Sequence, residues 1–244
     1  MFNFLFNKKG NNPIDTETEK WMNQAFSWLI KQFGESDLKS KDVLTPDQKY
    51  FPIRYDGTMS SLQATAVIVA SQMGIDVKEI NLQVYENNIH ELGRSLWTNV
   101  EKEQSEALSQ GLYFDKNESG YYDILVEKSN LDDPENLVAT LAHEFSHIKI
   151  LGEHRLELND ESLTDLATVV FGLGIFNANA AFKEIKSIDG YGYKTAGYLT
   201  QKEWGYALAL YAIFRGESSP EWVQYLNKNI KSDFEKSILW LMLY

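Results

Sequence analysis

At 244 residues the chain is long enough to bury a substantial core in one or two domains. Its composition, 43% hydrophobic and 24% charged, is that of a globular protein and excludes a wholly disordered chain. There is no cysteine, which excludes disulfides and thiolate metal sites, and the formal net charge of −12 argues against nucleic-acid backbone as the main partner.

The chain opens with MFNFLFNKKGNNP. This apolar run is too short for a signal-peptide core, and its lysines follow instead of preceding it. No later stretch reaches membrane-spanning length without charges. The expectation is a cytoplasmic protein with a flexible leader over residues 1–15, in which Phe2, Phe4, Leu5 and Phe6 can at most touch a membrane surface. Thr16 to Phe33 reads as a helix, with Trp21, Ala25, Trp28, Leu29 and Phe33 on its apolar side and Gly34 ending it. Glu35 to Pro52 is polar, with a turn at Thr45-Pro46-Asp47. Ser60 or Ser61 can cap the next helix, which runs through Ala64, Val67, Ile68, Ala70 and Met73 to Gly74.

Ile80 to Tyr85 alternates apolar and polar residues as a half-buried strand does. Glu91 to Gln110 is ambiguous between states. Leu112 to Phe114 and Tyr121 to Glu127 read as two strands joined by the turn DKNESG.

Asp133-Pro134-Glu135 then announces a helix: a capping carboxylate, a proline in the first helical position and an acid in the first turn. Leu137, Leu141, Ile148 and Leu151 form its apolar stripe, and Gly152 is placed to end it. The helix carries His143-Glu144-Phe145-Ser146-His147, an H-E-x-x-H, and holds two of the four histidines in the chain. Residues four apart lie roughly 40° apart around a helix, so both imidazoles share a face and can share a zinc ion. Glu144 falls close enough to reach a water bound to that metal, the layout of a metal-assisted hydrolase.

Catalytic zinc takes three protein ligands and leaves one position for water. Asn159-Asp160 can cap a second helix through Leu163, Leu166, Val169, Val170 and Leu173. Glu161 and Asp165, four apart, share a face of it. Glu161 can complete the ligand set, and Asp165 can accept the remaining ring N–H of a ligand histidine. His154, Glu153 and Asp160 compete as third ligand.

Asn177 to Gly197 reads as a loop beside the cleft, with Tyr191, Tyr193 and Tyr198 among glycines; a tyrosine there can donate to an oxyanion. Thr200-Gln201-Lys202-Glu203 is a capping box, followed by Trp204, Ala207, Leu208 and Tyr211 at helical spacing. Ser219-Pro220-Glu221 and Ser232-Asp233 each read as a further helix start, the last helix carrying Ile238, Leu239, Leu241 and Met242.

Over about residues 121–171 the chain resembles the zincin metallopeptidases, in particular the gluzincin branch. There H-E-x-x-H is followed by a helix bearing E-x-x-x-D, matched here by Glu161-Ser162-Leu163-Thr164-Asp165. The gap from His147 to Glu161 is shorter than in the best-known members. The resemblance implies an α+β, zincin-like fold: a small mixed sheet with an edge strand packed on the H-E-x-x-H helix, and a mostly helical C-terminal part. It implies one domain over 16–244, with an α/β part to residue 120 and a helical part from 121. It further implies zinc as cofactor, with His143, His147 and Glu161 as ligands, Glu144 as general base and Asp165 behind the ligands. Ile124-Leu125-Val126 would be the edge on which an extended substrate pairs. The function expected is zinc-dependent hydrolysis of a peptide or protein substrate; the alternative is a regulatory or binding protein on the same scaffold.

Overall fold

The computed structural model describes residues 12–86, 111–187, 190–195 and 197–243, so the leader to Asn11 and the ambiguous 91–110 stretch lie outside the described residues. It is a mixed α+β protein with a three-stranded mixed sheet and a separate two-stranded hairpin. Contacts divide it into two compact units. One is Pro46–Asn159; the other joins the residues up to Thr45 with those from Asp160 onward.

In the first of these units the first helix is Met59–Met73, α3 in chain order. The cap of α3 is Thr58, whose side chain accepts from Ser61 N, rather than Ser60 or Ser61. Gly74 closes it in the left-handed conformation that glycine adopts without a Cβ penalty. Strands β1 (Ile80–Tyr85), β2 (Gly111–Phe114) and β3 (Tyr122–Glu127) follow. They order as β1-β3-β2, with β1 parallel and β2 antiparallel to β3. The strand expected to be an edge, Ile124-Leu125-Val126, is therefore the central one. Its residues are buried on both faces, which explains the continuous apolar run. Among the described residues the edge that packs on the motif helix is β2.

A 3-10 turn over Lys128–Asp132 leads into α4, Pro134–His147, capped by Asp133 as expected. Leu137, Leu141 and Phe145 are buried on α4; α3 packs on this helix and buries Leu62, Ala66, Val69 and Met73. Helix α4 does not stop at His147. It widens into a π-helical turn, Ile148–Gly152.

The other unit is mostly helical. Its α1, Thr16–Phe33, has the expected span, and Asp15 caps it by accepting from Glu17 N and Thr18 N. The buried face is Met22, Phe26 and Leu29; Trp21, Ala25 and Trp28 border it as half-buried flanks. A short α2, Glu35–Ser40, opens the polar stretch and buries Leu38 fully. Helix α5, Glu161–Val170, packs on α1, and α6 spans Gly174–Ala180. Strands β4 (Phe182–Ser187) and β5 (Gly190–Thr195) form a hairpin. The 177–197 stretch is thus a helix end and a hairpin, not a loop.

Helix α7, Gln201–Arg215, carries the capping box that Thr200 and Glu203 predict. Ser219-Pro220-Glu221 opens only a 3-10 turn, Glu221–Tyr225, because α8 already begins at Lys228 and runs to Leu243. The start at Ser232-Asp233 fails because Asn227 is fixed first: its N–H donates to Asn179 Oδ1 at 2.8 Å. Of the apolar residues expected on that helix, Ile238 is buried while Leu239 and Met242 are exposed. Glu19 ties the helices together, accepting from Tyr206 Oη–H at 3.2 Å and Trp240 Nε1–H at 2.9 Å.

Candidate metal centre

Helix α4 holds its two histidines from both ends. Asp133 Oδ1 accepts from Asn136 N at 3.1 Å, Pro134 fits the first turn, and the buried leucine face fixes the rotation about the axis. The rings of His143 and His147 stand 4.9 Å apart, centroid to centroid, nearly perpendicular at 83°. His147 is buried and His143 half-buried, so the pair grades from interior to surface.

The π turn begins at the residue after His147. Such turns are rare and concentrate at functional sites. Here its far end is set by packing: Gly152 lies against the ring of Tyr122, whose hydroxyl donates to Gly152 O at 3.1 Å. A Cβ at 152 would stand 2.6 Å from Tyr122 Cε1. The glycine expected to stop the helix therefore acts through close approach; it is not among the glycines with positive φ.

Glu144 is buried in spite of its charge. It lies against the first residue of β2: a Cβ at Gly111 would fall 2.7 Å from Glu144 Oε1. Two residues along the same strand, Tyr113 stacks on His147, with centroids 5.5 Å apart and planes at 20°. Burial, then the nearby Asp115 charge, pushes the Tyr113 hydroxyl well above the ordinary tyrosine range, so it stays neutral. No local motif in the sequence marks Gly111 or Tyr113. The available signal was a Gly-x-Tyr spacing that puts both residues on one strand face.

The competing third ligands have other duties. Glu153 pairs with Lys149 and with Arg155 Nη2, the latter at 2.7 Å. His154 is exposed, in a turn with φ of 55°. Asp160 caps α5 by accepting from Leu163 N at 3.0 Å. Glu161 opens α5. Among the described residues, His143, His147 and Glu161 each offer one ligand atom, and these atoms lie within 4.8 Å of one another.

Asp165 is buried one turn along α5. Its Oδ2 accepts from Tyr198 N at 2.7 Å and Leu199 N at 3.2 Å, so backbone amides satisfy and orient the carboxylate. Of the tyrosines expected beside the cleft, Tyr198 has an exposed side chain. The side chains of Tyr191 and Tyr193 fall outside the described residues. Among the described residues, no helix is long and apolar enough to cross a membrane. No protein-family model, curated protein or solved structure matches the chain.

Proposed function

We propose that this chain is a zinc-dependent peptidase. In this reading His143, His147 and Glu161 hold the metal, and Glu144 is the general base. The observation that carries it is the convergence of two imidazoles and a carboxylate to within 4.8 Å, with a buried acid between the histidines in sequence. The donor set suits the metal: two neutral nitrogens and one carboxylate are a known catalytic zinc sphere with a position left over. Zinc bound there would supply Lewis acidity toward a carbonyl and toward water.

Glu144 takes the proton of the attacking water and returns it to the leaving amine. Its backing by Gly111 confines the carboxylate, so little reorganisation is needed at the reacting atoms. Asp165, whose Oδ2 is oriented by two backbone amides, is the acid assigned behind the ligands in this reading. The cysteine-free sequence suits a reducing, cytoplasmic setting.

A peptide-library digest by purified protein, with and without chelator, tests the reading. Cleavage that chelator abolishes and zinc restores is expected. Cleavage indifferent to chelator would overturn the metal mechanism. Zinc binding with no cleavage would instead favour a regulatory protein on this scaffold.

A further inference from the structure

We infer that Tyr113 is a positioning residue for His147, the face-on support that sets the plane of this imidazole. The functional consequence rests on the zinc reading above; the geometry does not.

A histidine on a helix retains a broad, roughly two-fold freedom about its last torsion. Packing must remove that freedom if one chosen nitrogen is to face a ligand. Among the described residues His147 has two aromatic neighbours, His143 edge-on at 4.9 Å and Tyr113 with its ring nearly parallel at 5.5 Å. The first is itself only half-buried and moves with the same helix. Tyr113 is held from outside the helix: it sits in the β2–β3 ladder opposite Ile124.

The support continues behind Tyr113. Its ring stands 6.1 Å from that of Tyr122 on the neighbouring strand. Tyr122 in turn packs on Gly152 and donates to its carbonyl. His147, Tyr113, Tyr122 and Gly152 thus form a continuous run from the imidazole to the end of the π turn that follows it. The sheet braces both the ring and the irregular backbone beside it. The Tyr113 hydroxyl is turned to Asp115 Oδ1, at 3.4 Å, so the ring supplies the support and the hydroxyl is dispensable.

The test compares Tyr113→Phe, Tyr113→Leu and Tyr113→Ala by two readouts. One is zinc affinity by chelator competition. The other is the NMR signals of the His147 ring protons in metal-free protein, where a stacked ring imposes its own shift. Phe is expected to match the wild type in both. Leu and Ala are expected to lose the ring-current shift and to weaken zinc binding roughly tenfold or more, as for loss of other outer supports of ligand histidines. Leu keeps the apolar bulk, so it carries the test should Ala fail to fold.

Unchanged His147 signals in the Leu variant, or an equal loss in the Phe variant, would overturn the inference. If wild-type protein takes up no zinc, the metal reading falls on its own. The ring signals of metal-free protein then decide the role of Tyr113 separately.

Discussion

The carboxylate of Glu144 rests on the backbone of Gly111 so closely that one methyl group there would stand 2.7 Å from its Oε1. The same Cβ would also stand 2.7 Å from Cγ2 of buried Thr140 and 2.9 Å from Glu144 Cγ, so alanine at 111 displaces the acid and overpacks the helix beside it. Gly111→Ala should therefore retain zinc, lose roughly 1–3 kcal/mol of stability to overpacking, and lower kcat by about 10²-fold, the scale of an ångström's misplacement. Steady-state kinetics with metal analysis on the same sample checks this. Full activity would mean that the acid's position there is not critical.

Glu144→Gln keeps size and hydrogen-bonding capacity while removing the basic oxygen. Zinc content should stay at the wild-type level, and kcat should fall by about 10²- to 10⁴-fold. Turnover surviving in the zinc-loaded variant would remove Glu144 from the mechanism.

Gly152→Ala meets a different obstacle. The added Cβ would lie 2.6 Å from the ring of buried Tyr122, which is pinned by its bond to the carbonyl of Gly152. Overpacking of this kind costs roughly 1–3 kcal/mol. Urea unfolding should show a loss of that size, and zinc affinity should fall with it, because the π turn starts one residue after His147.

Alkaline pH probes the tyrosine core. Burial pushes Tyr206 up to about 12, and raises Tyr211 and Tyr113 as well. A raised value means that the folded state holds the phenolic proton more tightly than the unfolded chain. The resulting stability is fully present below about pH 10, the ordinary tyrosine value, and is lost as pH rises through the folded values. Absorbance at the phenolate band should show late-titrating tyrosines, with unfolding beginning between about pH 10 and 12. Tyr206→Phe should soften the loss in that window.

Local signals in the sequence located α1, β1, β3, α4 and α7 because each carries its own cap, alternation or bounded apolar run. Asp15, Asp133 and Thr200 do in the structure what their residue types predict. What the sequence concealed was set by partners distant along the chain. Ser232 resembles a cap, yet Asn179 fixes Asn227 and starts α8 earlier. Ile124 to Val126 suggest an edge by analogy, yet β1 and β2 both pair with β3. The site followed the same rule. His143, Glu144 and His147 are legible from helical periodicity alone. Gly111 and Tyr113 become relevant only when a strand more than 30 residues away is laid against the helix.

X-ray absorption at the zinc edge of the purified chain examines the proposed centre directly. Two imidazoles and light oxygen donors should appear at about 2.0–2.2 Å, with no sulfur, and the imidazole signal should weaken in His147→Ala. Protein that takes up no zinc, or zinc whose surroundings are the same in wild type and His147→Ala, would contradict the account.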